Sequence, residues 1–329
     1  MHLRRPSPVA GAGGAGDASL RSLTAMPIGA AAEPALLESD VAYAETLARE
    51  FGSITPENAM KWGPIHPDES AWRWEPADRL VEYARAHDML VHGHALVWHE
   101  QLPAWISAVA PRRFRETFEE HLQTLVGRYR GRVGSWDVVN EALTSRGRLR
   151  NTIFLGRLGP GYIAEAFRIA HAADPDTRLY YNDFGADGLG RKSDAVHALV
   201  RGLLEDGVPI HGVGLQMHLD AASPPAAADV AANVERLSAL GLDVRISEMD
   251  VRVRRIRARD RLAVQRIVYR DILAACFERT DLAGVSFWGV TDARSWIDER
   301  FGEDDPLLFD AAYERKPAYF GVRDALVGT

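Results

Sequence analysis

One unit recurs along this chain: a short apolar run, a polar loop, then a stretch with helical spacing of apolar residues. The apolar runs fall at residues 26–32, 51–56, 90–97, 134–140, 177–182, 212–217, 243–247 and 282–288. Several are nearly continuous, such as Val285-Ser-Phe-Trp-Gly-Val290, as expected of strands covered on both faces. Between them, residues 111–130 space Phe114, Phe118, Leu122 and Leu125 three and four apart. Residues 163–173 do the same with Ile163, Phe167, Ala170 and His171, and residues 193–205 with Val196, Leu199, Val200 and Leu203. Such stripes predict helices lying on a sheet. The helices after the first two strands are expected from Asp40 and Ala77. Eight strand–helix alternations predict an α/β chain closed into a single (β/α)8 barrel rather than a doubly wound sheet, and right-handed crossovers fix its order.

The 329 residues exceed the usual ~100–200 per domain, but single barrels commonly run to ~250 or more. No Gly- or Pro-rich linker follows residue 20 and no 20–50-residue repeat is present. Residues 20–329 therefore read as one catalytic domain, and the Gly/Ala-rich residues 1–19 as a disordered leader. That leader lacks a 7–15-residue apolar core, so it makes a poor signal peptide, and no run of about 18 apolar residues predicts a membrane helix. The expected location is cytoplasmic, or outside the cell if the start is mis-assigned. A net charge of −7 gives no support to nucleic acid or anionic membrane as a partner. The single cysteine, Cys276, precludes an internal disulfide and any zinc site needing two thiolates. No cofactor is expected, and a monomer is.

A barrel enzyme builds its site where its strands stop. The second strand stops at Glu57 and Asn58, with Lys61 and Trp62 just after. The third stops near His92, His94, Trp98 and His99, the fourth at Asn140-Glu141, and the fifth at Asn182-Asp183. The sixth stops at Gln216 and His218, the seventh at Glu248 and Asp250, and the eighth at Trp288 with Trp296 in its loop. The opposite strand ends carry nothing comparable. The pattern predicts a polar cleft with aromatic walls, suited to a sugar whose hydroxyls need amide, Lys and His partners and whose ring faces stack on Trp. Glu141 and Glu248 form the pair that glycoside cleavage requires. One protonates the leaving oxygen, while the other attacks the anomeric carbon or activates water. Their mutual repulsion is expected to raise one pKa. Asn140 is placed to bond a sugar 2-hydroxyl.

These segments resemble the glycoside hydrolase family 10 xylanases. The matching stretches are Ile54-Thr-Pro-Glu-Asn-Ala-Met-Lys-Trp62, His92-Gly-His-Ala-Leu-Val-Trp-His99, Trp136-Asp-Val-Val-Asn-Glu-Ala142, Tyr180-Tyr-Asn-Asp183, Gly214-Leu-Gln-Met-His218, Ile246-Ser-Glu-Met-Asp250, Phe287-Trp-Gly-Val-Thr-Asp292 with Ser295-Trp296, and Pro306-Leu-Leu-Phe-Asp310 with Lys316-Pro-Ala-Tyr319. The resemblance implies a retaining endo-β-1,4-xylanase acting on xylan or xylo-oligosaccharides. It implies Glu141 as acid/base and Glu248 as nucleophile. Asn58, Lys61, His94 and Gln101 become glycone-side contacts, with Glu57, Trp98 and Asn182 counted among the substrate-binding residues. Asn140 and Gln216 would hold the sugar beside the cut, His218 and Asp250 would keep Glu248 ionised, and Trp288 and Trp296 would form an aromatic wall. Three positions depart from the pattern. Gly52 stands where Asn is frequent, Phe184-Gly185 where Tyr-Asn is usual, and Phe154 where Trp is expected, each with a potential effect on distal subsites.

Two other readings compete. His92 and His94, at i and i+2 of one strand, could bind zinc, with His218 and Asp250 completing a metal-dependent hydrolase. That pair normally sits on the first strand of such barrels, and here it is on the third. A non-catalytic sugar-binding barrel is the other, although such proteins usually lose one carboxylate and this chain keeps both. His66, His99 and His211 read as ordinary polar or loop residues. Trp62, Trp72, Trp74 and Trp105 read as packing or rim residues. The basic run Val251-Arg-Val-Arg-Arg-Ile-Arg-Ala-Arg-Asp-Arg261 reads mainly as a solvated loop and helix start, with a secondary expectation that it favours uronic-acid decorations.

Overall fold

The computed structural model describes residues 18–257, 259–279 and 282–328; most of the expected leader, residues 1–17, lies outside the described residues. Nine parallel strands are present: β1 (Ile28–Ala32), β2 (Ser53–Pro56), β3 (Leu90–Gly93), β4 (Ser135–Asn140), β5 (Arg178–Asp183), β6 (Gly212–Leu215), β7 (His218–Asp220), β8 (Asp243–Arg252) and β9 (Gly284–Phe287). Each of β1 to β5 pairs with the next, β6 pairs with β8, β8 with β9, and β9 returns to β1. Eight strands thus close a parallel barrel, with helices between them, as the alternation predicts. The helices keep the expected faces. Pro111–Arg128 buries Phe114, Phe118, Leu122 and Leu125, Tyr162–Ala173 buries Ile163 and Phe167, and Arg191–Glu205 buries Val196 and Val200. The helix Val41–Glu50 starts on Asp40, whose carboxylate accepts the Tyr43 N–H at 3.0 Å, a normal N-cap.

Two strands differ from expectation in ways that shape the site. The seventh barrel strand does not stop at Ser247. It runs on to Arg252 because the three-residue β7 pairs beside it, His218 against Asp250 and Asp220 against Arg252. Glu248 and Asp250 therefore both stand on this strand, two residues apart. Its register against β9 shifts between Ile246 and Met249, the irregularity that brackets Glu248. The third strand is shorter than expected; past Gly93 the chain leaves the ladder and rejoins it at Val97, which bridges to Val139.

Small residues inside the barrel make room for large ones on the next strand. A Cβ on Gly93 would sit 2.1 Å from the Trp136 ring, and one on Gly214 would sit 2.2 Å from Asn182 Oδ1. The second case fixes a polar residue beneath the cleft. No described helix is long and apolar enough to cross a membrane.

Candidate active site

At the C-terminal mouth of the barrel lies a cleft of about 730 Å³, within the range typical of ligand sites. Glu57, Asn58, Lys61, His94, Trp98, Gln101, Asn140, Glu141, Gln216, His218, Glu248, Trp288 and Trp296 all line it. Most of the strand-end residues named from sequence are thus brought together, but Trp62, His92 and Asp183 are buried away from the cleft, and so are two more. Asp250 lies fully buried beneath the wall, and Asn182 has no exposed surface.

Glu248 is buried on β8, and two groups hold its carboxylate. Asn182 Nδ2 donates to Oε1 at 2.6 Å, and His218 Nε2 lies 3.2 Å from Oε2. His218 Nδ1 in turn lies 2.8 Å from Asp250 Oδ2, which also accepts Trp296 Nε1–H at 2.8 Å. Burial works against charge on His218, but Asp250 and Glu248 on its two nitrogens outweigh it and push its pKa up to about 10. The ring is therefore an imidazolium donating to both carboxylates. For Glu248 burial also acts against the charged form, yet the His218 hydrogen bond and the neighbouring His94 hold its pKa below the ordinary value. The charge on Glu248 is thus held by the two imidazoles beside it.

Glu141 stands one residue past β4 in the left-handed region, at φ 57°, a strained conformation for a non-glycine. Neighbours pin that turn. The Glu141 N–H donates to Asn182 O at 2.8 Å, and Arg150 Nε donates to Glu141 O at 3.1 Å. The carboxylate Oε1 faces Gln216 Nε2 at 3.2 Å and Asn140 Nδ2 at 3.4 Å. A run of amides joins the two carboxylates: Gln216 and Asn182 both donate to Asn140 Oδ1, at 3.2 and 2.9 Å, and Asn182 continues to Glu248. Asn182 Oδ1 accepts from Ser247 Oγ at 2.7 Å. Expected on the sugar, Asn182 instead commits both ends of its amide inside the protein, because Gly214 leaves the space for it to sit below the cleft floor. It is a positioning residue.

On the opposite wall, Asn58 Oδ1 accepts from Lys61 Nζ and Gln101 Nε2, both at 3.1 Å, and Asn58 Nδ2 donates to Glu33 Oε1 at 2.6 Å. Burial lowers the Lys61 pKa, opposed by Glu248, Glu57, Glu141 and Glu33. Its ammonium lies 4.6 Å from the centre of the Trp98 ring, a cation–π contact. Glu57 is pushed up to about 8, by burial first and then by the Glu33 charge, with Lys61 pulling the other way. Glu33, Asp137 and Arg150 were not anticipated. Glu33 directly follows β1, so the strand-end rule applied to the first strand finds it. Asp137 lies inside β4, where alternation alone marks it as inward-facing. Arg150 comes from a loop and left no pattern to read.

Asp137 bears on the metal reading. Its Oδ2 lies 2.8 Å from His94 Nδ1 and 3.0 Å from His92 Nε2. His94, Asp137 and Glu248 offer donor atoms within 4.8 Å of one another. Zinc bonds of about 2.0–2.1 Å would hold two ligand atoms about 3.3 Å apart, so the 2.8 Å contact is a direct hydrogen bond. His218 and Asp250 are likewise bonded to each other. The three departures from the family pattern separate. Phe184 and Gly185 line the cleft, but Phe154 is buried against Trp62 and Phe118, and Gly52 lies beside Arg21 just ahead of β2, at the far end of the barrel. Neither of the latter two reaches a subsite.

The sequence model of the family described as glycosyl hydrolase family 10 matches residues 18–325. Endo-1,4-beta-xylanase B of Thermotoga neapolitana is 40% identical over 291 residues, covering 86% of this chain and 83% of the relative. The crystal structure of xylanase 10B from Thermotoga petrophila in complex with xylobiose superposes with a TM-score of 0.91 at 38% identity, covering 94% of this chain and 97% of that one. The intracellular xylanase of Thermoanaerobacterium saccharolyticum, solved as a mutant with xylotriose, superposes with a TM-score of 0.85 at 33% identity, over 90% and 95% of the two chains.

Proposed function

This chain belongs to glycosyl hydrolase family 10 and is an endo-1,4-β-xylanase, and we propose that it cleaves xylan or xylo-oligosaccharides with retention, Glu248 attacking and Glu141 moving the proton. The observation that carries this assignment is the unequal setting of the two carboxylates at one cleft. Glu248 is buried, ionised by an imidazolium and locked by Asn182, which suits a nucleophile. Glu141 sits at the rim on a pinned turn, which suits proton exchange with a leaving oxygen.

In the first step a Glu248 oxygen bonds to the anomeric carbon, the glycosidic C–O bond breaks, and the leaving oxygen takes the Glu141 proton. In the second, water gives a proton to Glu141 and attacks the same carbon, and the bond to Glu248 breaks. Asn140 has its carbonyl oxygen doubly occupied, so it presents its amide N–H to the sugar 2-hydroxyl. Gln216 spends its N–H groups on Asn140 and Glu141, which leaves its carbonyl for a hydroxyl donor. Asn58, Lys61, Gln101 and His94 bind the glycone side, with Glu57 entering neutral near pH 7, and Trp288 and Trp296 stack on the ring. One chain supplies every one of these groups, which supports action as a monomer. Likeness to an intracellular relative supports action within the cell on short oligosaccharides.

Two variants test the roles. Glu248→Ala should lose turnover by a factor on the order of 10⁵, with azide restoring bond cleavage and giving an α-glycosyl azide. Glu141→Ala should keep fast first-step cleavage of aryl xylosides with good leaving groups, then stall at deglycosylation. NMR of the first product formed should show the β anomer. An α anomer, or a β-azide from the Glu248 variant, would overturn the assignment.

A further inference from the structure

Of the arginines in the basic segment after Glu248, Arg252 alone lines the cleft. Arg254 donates to Phe301 O, Arg255 pairs with Asp220 at 3.2 Å, and Arg261 pairs with Asp305. The Arg252 side chain has no ion pair or hydrogen bond among the described residues, and its Nε is shut off from solvent without a partner. Yet it lines the cleft. It sits two residues past Asp250 and four past Glu248 on β8, opposite Asp220 of β7. Its guanidinium lies 4.4 Å from the centre of the Phe301 ring, a cation–π contact.

A guanidinium in this position is a built anion site. Leaving its buried Nε–H without a partner is costly, and the two acidic residues nearest it on the paired strands are already engaged, Asp250 by His218 and Trp296 and Asp220 by Arg255. Arg300, the other cation of this wall, leans toward Glu100 at 3.9 Å. Of the other cations lining the cleft, Lys61 bonds Asn58 and Arg150 bonds the Glu141 and Leu143 carbonyls, so Arg252 is the cleft cation whose side chain is left without a hydrogen bond or ion pair among the described residues. We propose that Arg252 binds a carboxylate carried as a substituent on the sugar chain, making this wall a subsite for acidic, uronic-acid-decorated oligosaccharides. A planar fork meets a carboxylate with two parallel hydrogen bonds. The proposal rests on the xylanase reading and adds the class of decoration that this site takes.

Three ligands with one xylo-oligosaccharide backbone test it: undecorated, bearing a uronic acid, and bearing the same sugar with its carboxyl reduced to the alcohol. With the wild-type enzyme, kcat/KM for the carboxylated ligand should exceed that for the reduced one about ten- to hundredfold, the range for a charged hydrogen bond, and added 0.5 M salt should shrink the ratio. Arg252→Ala should bring the ratio to about one and leave the undecorated ligand within about threefold. Arg252→Lys, which keeps the charge but not the fork, should retain part of the preference. A wild-type ratio near one overturns the proposal. So does an Arg252→Ala variant that slows all three ligands equally, which would assign Arg252 to holding Phe301. Turnover of the undecorated ligand reads the xylanase activity separately, so a wild-type enzyme that turns it over at full rate without discriminating the acid from the alcohol overturns this proposal alone.

Discussion

A buried carboxylate is a poor nucleophile unless something keeps it ionised, and here that burden falls on one ring. His218 is charged because Asp250 and Glu248 occupy its two nitrogens against the penalty of burial, up to about 10. It returns the effect by stabilising the Glu248 anion. Replacing it with a neutral amide removes the charge and leaves a single donor. His218→Gln should move the acid limb of the kcat/KM profile to higher pH, because Glu248 then takes up a proton more readily. The plateau should fall about 10²-fold, the scale of one lost preorganised charge contact. A profile on an aryl xylobioside from pH 4 to 9 checks both. An acid limb that stays in place would show that Glu248 does not depend on His218. Glu57, pushed up to about 8, is a separate titration on the other wall, and the limb it contributes should survive in this variant.

Single elements carry the site through backbone choices that a side-chain pattern does not announce. Gly214 on β6 leaves the space in which Asn182 bonds Asn140, Glu248 and Ser247. Gly214→Ala puts a Cβ 2.2 Å from Asn182 Oδ1, and overpacking of this kind costs about 1–3 kcal/mol. It should lower kcat as well, since the amide run between the carboxylates must move. Gly127, by contrast, lies in the helix Pro111–Arg128 with nothing within 4 Å of an added Cβ. Gly127→Ala should stabilise by about 0.5–1 kcal/mol and leave kcat alone. Thermal melts and xylan turnover on the two variants separate the effects; a neutral Gly214→Ala would mean that Asn182 does not need its pocket. The barrel strands and the residues at their ends were legible because apolar runs and polar stops are one-dimensional signals. The short β7 was not, because three residues, His218-Leu-Asp220, carry no alternation to detect, and without β7 the extension of β8 through Glu248 to Arg252 is invisible. The role of Asn182 was misread for a related reason: strand position says that a side chain points inward, but not whether it meets ligand or other side chains.

The groups that poise the cleft also set how the whole molecule responds to pH. His92, pushed down to about 4 chiefly by burial, and His121, lowered by burial, are neutral when folded. Their contribution to stability is complete above their unfolded value of 6.5 and is lost as pH falls. Groups with raised values act in the opposite sense. Burial lifts Glu57 to about 8 and Asp292, despite Lys316 at 2.6 Å, to about 7. Their contributions are present below about 4.5 and 3.8 and are lost as pH rises through the folded values. The His218 contribution is whole below 6.5 and is lost toward 10. Below pH 6.5 the two sets oppose each other. Above it the first set is exhausted, while Asp292 loses up to about 7, Glu57 up to about 8 and His218 from 6.5 toward 10, each with a slope of at most about 1.4 kcal/mol per pH unit. The urea midpoint at constant ionic strength should therefore change little from pH 5 to 6.5 and fall steadily from 6.5 to 9. The His218→Gln variant should show a shallower fall over the same range, because one of the three titrations has been removed. A midpoint that holds or rises from 6.5 to 9 would contradict the protonation states on which the catalytic assignment of Glu248 depends, since the charge that keeps that carboxylate ionised is the same charge whose loss this titration reports.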